Sequence, residues 1–152
     1  MKLAEALMIR ADYTRQLQTL RNRINAVAIV QEGEQPAEDP QELLQQVERV
    51  TTELAEIVQK INRTNHRVVL PDGQTLSDAL ATREMYLQQH RIFNGAASSA
   101  VPNQHRYGNT QIKVRGTLDV PDLRQRADRA AQAARELDAR IQEANWINDL
   151  VD

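Results

Sequence analysis

The apolar residues of the chain fall into long stretches with helical spacing, separated by segments rich in proline, glycine and charge. The clearest stretch has large apolar residues in alternating steps of four and three, at Leu43, Val47, Val50, Leu54, Ile57 and Ile61. This is the spacing of a coiled-coil seam. It predicts a helix from Pro40 to about Asn62, with Asp39 as its N-cap and Pro40 at its first position.

A second stretch with heptad spacing predicts a helix from Lys2 to about Gln31. Gly33 and Pro36 end it, and Arg10 alone interrupts its apolar register. The core-facing positions are Leu3, Ala6, Tyr13, Leu17, Leu20, Ile24 and Val27.

Two further helices are expected in the second half of the chain. One begins at Thr75, where Asp78 stands three residues later as in a capping box, and continues to about Ala100. The other begins between Asp119 and Asp122 and reaches about Leu150. Its seam is rich in small residues: Leu123, Ala127, Ala130, Ala134, Leu137, Ile141 and Ala144, followed by Trp146, Ile147, Leu150 and Val151.

The segments between the helices predict little regular structure. An apolar triplet at 68–70 followed by Pro71, Asp72 and Gly73 indicates a small β-hairpin or an ordered turn between the second and third helices. A brief alternation at Ile112 and Val114 suggests a short strand. The predicted fold is therefore all-α: four long helices in an antiparallel bundle or coiled-coil arrangement, with a small β-hairpin between helices two and three. At 152 residues we expect a single domain, residues 1–152.

Charge and composition exclude several functions. The chain has no cysteine, which rules out disulfides, thiolate catalysis and cysteine-ligated metals. A net charge of −2 gives no global attraction to nucleic acid, and the arginines of the last helix are interleaved with acids. The first turns are too charged for a signal peptide and no window approaches about eighteen apolar residues, so we expect a cytoplasmic protein without stable membrane insertion.

No residue pattern points to catalysis or to a cofactor. The three histidines, His66, His90 and His105, lack metal-binding spacing, and we expect His90 to be a partly buried, hydrogen-bonded residue. The acidic segment 32–42 has two interpretations, a cation site or a solvated connector, and it lacks the ligand spacing of a calcium loop. The sequence therefore favours a non-enzymatic protein with no metal and no cofactor.

One polar cluster is implied by the predicted topology. If the helices alternate in direction, polar residues collect at one end of the bundle. The candidate ligand-binding residues there are Arg10, Arg63, Asn65, Asp78, Arg83, Glu84 and Trp146, accompanied by Asn62, Asn145 and Asp149. Such a set suits a small anion or carboxylate, or it forms a buried polar layer that fixes helix register, with Arg10 paired to Glu84.

Five segments in order carry a family resemblance. They are MKLAEAL at 1–7, QEGEQPAEDPQELL at 31–44, INRTN at 61–65, LPDGQTLSDALATRE at 70–84 and ELDARIQEANW at 136–146. Together they resemble the septicolysin-like family of small bacterial proteins. The resemblance implies a mostly helical protein, carries over no active site, and implies by its name a pore-forming activity.

Three functional hypotheses follow. The first is a structural or protein-interaction helical bundle that self-associates, because aromatic-poor seams of the coiled-coil type usually need partner helices. The second is a module that binds a small ligand or anion through the polar cluster. The third is a cytolytic protein, which rests only on the family resemblance.

Overall fold

Four helices account for the regular structure of the protein. A computed structural model describes residues 1–102 and 113–152. The described residues form α1 (Leu3–Val27), α2 (Pro40–Arg67), α3 (Leu76–Ser99) and α4 (Val120–Ile147), and they contain no β-strand. The predicted all-α fold with four helices is therefore confirmed.

These helices belong to two compact units. Unit 1 comprises Met1–Val69 and Glu143–Asp152, and unit 2 comprises Leu70–Gln142. Unit 1 therefore holds α1, α2 and the last turn of α4, whereas unit 2 holds α3 and the rest of α4. The single domain over residues 1–152 and the antiparallel bundle of all four helices stay predictions.

The core of unit 1 is built from the two apolar seams predicted for α1 and α2. A cluster of four buried residues joins them: Leu20, Val27, Leu43 and Val50, with Tyr13, Leu17, Ile24 and Val47 packed against it. Ile61 farther along the α2 seam is also buried, while Leu54 and Ile57 are half-buried. Heptad spacing thus identified the residues through which α1 and α2 pack.

The helix boundaries differ from the predicted ones at two places in unit 1. Helix α1 ends at Val27, four residues before the predicted end, and the chain turns with a hydrogen bond from the amide of Glu34 to the carbonyl of Gln31 (3.0 Å). Helix α2 begins at Pro40 as predicted, with the Asp39 carboxylate accepting from the amide of Gln41 (2.9 Å). It continues five residues beyond Asn62 to Arg67.

The two ends of the chain are tied together in unit 1. The amide of Leu3 donates to the carbonyl of Asn148 (3.0 Å), and the amide of Leu150 donates to the carbonyl of Met1 (2.8 Å). The buried hydroxyl of Thr64 on α2 accepts a hydrogen bond from the amide of Val151 (2.9 Å). Because residues 148–152 make these contacts, α4 ends at Ile147 and not at Leu150 as predicted.

The predicted β-hairpin between α2 and α3 is absent, and a tight turn stands in its place. The amide of Leu70 donates to the carbonyl of Gln74 (2.8 Å), and the amide of Gly73 donates to the carbonyl of Leu70 (2.9 Å). Gly73 has a φ of +87°, a conformation that costs glycine little. Residues 68–75 between the two helices contain no strand, so the ordered turn, the other structure expected there, is the one that forms. The predicted strand at Ile112 and Val114 falls partly outside the described residues, since Ile112 is not among them; the described residues 113–116 contain no strand.

Unit 2 confirms the predicted starts of α3 and α4. The hydroxyl of Thr75 accepts a hydrogen bond from the amide of Asp78 (3.1 Å), and the Asp119 carboxylate accepts one from the amide of Asp122 (3.1 Å). The small-residue seam of α4 is buried within this unit, at Ala127, Ala130, Ala134, Leu137 and Ile141.

Candidate functional site

Unit 2 contains a groove of about 590 Å³ between α3 and α4, which we call the α3–α4 groove. Its lining combines small apolar residues with four ionisable side chains: Arg83, Leu87, His90, Ala131, Ala134, Arg135, Asp138 and Ala139. A volume of this size lies in the range of small-molecule sites.

Helical periodicity explains why these residues line one groove. On α3, Arg83, Leu87 and His90 are separated by steps of four and three, so they lie on one face of the helix. On α4, Ala131 and Ala134 lie one turn apart and carry only a methyl group each. The groove is therefore wide because the α4 seam is made of alanine, whereas larger side chains at those positions would fill it.

Arg83 and Asp138 form an ion pair across this groove. A terminal nitrogen of Arg83 donates to the Asp138 carboxylate, and both side chains are partly exposed. The Nε atom of Arg83 is buried and finds no acceptor among the described residues. A buried donor without a partner costs about 1–3 kcal/mol, so the pairing with Asp138 leaves this guanidinium incompletely hydrogen-bonded.

His90 is fixed in one orientation at the same groove. Its Nδ1 lies 3.0 Å from the carbonyl oxygen of Ala127. Because a carbonyl only accepts hydrogen bonds, Nδ1 carries the proton, and Nε2 is the acceptor in the neutral ring. The half-buried, hydrogen-bonded state expected for His90 is confirmed.

A second surface feature of unit 2 is the outer part of α3. Between Leu80 and Ala96 no side chain is buried, although the segment contains several large apolar residues. Met85 and Ile92 are 44% and 64% exposed. Tyr86 and Phe93 line a second groove, of about 330 Å³, beside Gln89 and four residues of α4: Arg126, Arg129, Ala130 and Ala133. We call Met85, Tyr86, Gln89, Ile92 and Phe93 the outer face of α3.

The predicted polar cluster draws its residues from both units. Four of the seven belong to unit 1: Arg10, Arg63, Asn65 and Trp146. Arg10 and Arg63 are exposed, Asn65 is half-buried, and Trp146 is 53% exposed. Arg10, the residue that interrupts the apolar register of α1, therefore lies at the surface and not within the buried seam. Trp146 likewise falls outside the buried α4 seam.

The other three predicted site residues belong to unit 2. Asp78 is exposed in the first turn of α3, and Arg83 lines the α3–α4 groove. Glu84 accepts a hydrogen bond from Arg91 (2.9 Å), in place of the expected Arg10. Of the seven residues, Arg83 alone lines either of the two grooves described in unit 2. The binding role of the whole set stays a prediction.

Sequence reasoning identified neither Asp138 as the partner of Arg83 nor Arg135 as a residue of the same groove. Both stand on α4 among acids and bases that alternate along the helix, where they look like ordinary solvated charges. The one available signal was the nearby Ala131 and Ala134, whose small side chains leave space beside those charges.

The described residues contain neither a metal-binding cluster nor a membrane-spanning helix. Among residues 1–102 and 113–152, no group of three or more His, Asp or Glu side chains is placed to hold a metal ion. In the same ranges, no helix combines the length and apolarity needed to cross a membrane. His105 lies outside the described residues.

Comparison with known proteins places the chain in a family. No curated protein matches the sequence. The fold is similar to the crystal structure of a functionally unknown conserved protein from Corynebacterium diphtheriae, with 40% sequence identity, a TM-score of 0.92 and coverage of 99% of each chain. Residues 10–150 match the family of unknown function DUF6847. The chain therefore belongs to the DUF6847 family.

Proposed function

We propose that the protein is a helical interaction protein that acts as a self-associated assembly, formed through the outer face of α3. The observation that carries this proposal is the stretch Leu80–Ala96, in which large apolar and aromatic residues remain unburied over more than four helical turns. Aromatic residues and methionine are enriched in protein interfaces, and exposed apolar faces on helices usually pack against another helix.

The sequence of this face is complementary to itself. Residues Glu84, Met85 and Tyr86 are followed seven positions later by Arg91, Ile92 and Phe93. The two triplets share the order charged, aliphatic, aromatic, but the sign of the charge is reversed. A surface that can pair with its own copy is what a two-fold symmetric dimer requires.

An antiparallel pairing of two α3 helices satisfies all three positions together. When Met85 lies level with Ile92 of the second copy, Glu84 is offset from the second copy's Arg91 by two residues, or about 3 Å along the helix. Long side chains span that distance. Two-fold symmetry places both charged positions on one flank of the contact and both aromatic positions on the other, so every contact occurs twice.

The first test measures the mass of the native protein and of two matched variants by light scattering after size exclusion. We expect the native protein at twice 17.3 kDa or more and Met85→Asp at the mass of one chain. Met8→Asp is the control, because Met8 is a helical methionine of similar exposure (54%) in unit 1 and should leave the mass unchanged. A native protein that stays monomeric at about 100 μM, well above typical working concentrations, would refute self-association.

The second test separates pairing between chains from pairing within one chain. In Glu84→Arg, and likewise in Arg91→Glu, residues 84 and 91 carry charges of the same sign. These charges would repel each other across the proposed contact, so each variant alone should associate more weakly than the native protein. Mixing the two variants restores opposite charges only between chains. Each exposed pair contributes only a few tenths of a kcal/mol, so low salt is needed. A mixture that forms no more dimer than either variant alone would contradict the antiparallel register.

The pore-forming activity implied by the septicolysin-like resemblance stays a prediction of that resemblance. Release of a dye from vesicles containing anionic lipid tests it directly. Leakage that persists in the Met85→Asp variant would show an activity independent of the proposed assembly.

A further inference from the structure

We infer that the α3–α4 groove is a binding site for a small organic carboxylate that carries an apolar body. This goes beyond self-association, because the groove and the outer face of α3 share no lining residue. The two proposals can therefore be tested separately.

The charge of the groove selects an anion. Arg83 and Arg135 contribute two positive charges, and Asp138 contributes one negative charge, so the lining carries a net positive charge. Asp138 already occupies one side of the Arg83 guanidinium. The Nε of Arg83 is buried and has no acceptor in the described residues, whereas Arg135 is exposed, and its guanidinium can bind a carboxylate through two neighbouring N–H groups.

The rest of the lining selects an apolar body beside the carboxylate. Leu87 stands between Arg83 and His90 on α3, and alanines form the facing wall on α4. Ala134 is almost completely buried and Ala131 half-buried, so the floor offers methyl groups and no hydrogen-bonding side chain. An acid with a short alkyl chain or a single ring matches this combination, whereas inorganic phosphate would leave the apolar part empty.

The fixed imidazole adds a polar contact that completes the specificity. Since Nδ1 of His90 donates a hydrogen bond to the carbonyl oxygen of Ala127, only Nε2 is available to a ligand. In the neutral ring Nε2 accepts a hydrogen bond, for example from a hydroxyl on the apolar body. A hydroxy acid therefore uses the arginines and the histidine together, and should bind more tightly than the corresponding simple acid.

The probes are hexanoate and benzoate, with hexanamide and acetate as comparisons, titrated into the full chain and followed by calorimetry and by amide chemical shifts. For molecules of this size we expect a Kd between about 10 μM and 1 mM. Hexanamide should bind at least about tenfold more weakly, since it lacks the charge, and acetate should do the same, since it lacks the apolar body.

Two variants and two matched controls locate the binding. Arg135→Gln should raise the Kd for hexanoate about tenfold or more, and Ala131→Leu should abolish binding by filling the groove. Arg49→Gln removes the same charge at an exposed position of α2. Ala133→Leu introduces the same larger side chain on α4, but beside the second groove. Both controls should bind hexanoate as the native protein does.

The result that overturns the inference is equally specific. Absence of saturable binding by both probes to about 10 mM would refute the site. Equal affinity for hexanoate and hexanamide would refute selection by charge, and unchanged binding in Arg135→Gln, which alters an exposed side chain without threatening the fold, would move any site elsewhere. Light scattering on the same variants keeps the outcomes distinct: Ala131→Leu should retain the mass of the native protein.

Discussion

Replacement of Thr64 by valine tests how the end of the chain is fastened to unit 1. The Thr64 side chain is fully buried, and its hydroxyl makes two hydrogen bonds: it donates to the carbonyl of Lys60 (2.8 Å) and accepts from the amide of Val151 (2.9 Å). Valine has nearly the same shape but no hydroxyl. The variant therefore keeps the packing and removes both hydrogen bonds.

The expected cost comes mainly from Val151. The Lys60 carbonyl keeps its bond within the helix, because the amide of residue 64 already serves it. The Val151 amide is half-buried and is left without its acceptor, which costs about 1–3 kcal/mol. Thr and Val have similar helix propensities, so that contribution is small. For a loss of about 2 kcal/mol and an m-value of about 2 kcal/mol/M, the urea midpoint falls by about 1 M.

Thr52→Val is the matched control for this substitution. The Thr52 hydroxyl donates to the carbonyl of Glu48 (2.9 Å) in the same helix, but the side chain is exposed. We expect its free energy of unfolding to change by less than about 0.5 kcal/mol, so its urea midpoint should barely move. Thr64→Ser, which retains the hydroxyl, should recover part of the loss. Equal midpoints for the two valine variants, or an unchanged rate of hydrogen exchange at Val151 in Thr64→Val, would refute the reasoning.

Three further predictions concern two glycine substitutions and the effect of low pH on residues 148–152. Gly116→Ala should lower the melting temperature, because an added Cβ would overlap the carbonyl oxygen of Ala100, and overpacking costs about 1–3 kcal/mol. In Gly95→Ala, within α3, the added Cβ meets nothing within 4 Å, so the free energy of unfolding should rise by about 0.5–1 kcal/mol and the melting temperature with it. Melting temperatures that shift in the same direction in both variants would contradict this. Hydrogen bonds from lysines, followed by the lysine charges, lower the pKa of Asp149 and of Asp152. Their contribution is therefore present above about pH 4 and lost as the pH falls through the lowered values, and exchange protection of residues 148–152 should fall with it.

The candidate sites show which features of a site can be predicted from residue spacing and which cannot. Arg83 was predicted as a binding residue, yet for a cluster with Arg10 and Glu84, and the structure instead pairs it with Asp138. That partner is 55 positions away, and no periodicity within one helix specifies which residue of another helix it meets. The outer face of α3 is different. Its repeat of charged, aliphatic and aromatic residues is visible in the sequence, but only burial reveals that these residues remain uncovered.

The sequence by itself determined the helices, their caps and their apolar seams. Hydrophobic spacing of three and four residues depends only on helix geometry, and caps such as Asp39 and Thr75 act on their own first turn, so both are local properties. The tertiary structure alone decided the end of α4, because the tail 148–152 exchanges helical hydrogen bonds for contacts with residues 1–3 and Thr64. The structure also shows a turn where a hairpin or an ordered turn was expected, held by hydrogen bonds between residues three and four positions apart, and it shows Arg10 exposed. Of these outcomes, the end of α4 depends on contacts between residues distant in the chain, whose energies no local pattern encodes.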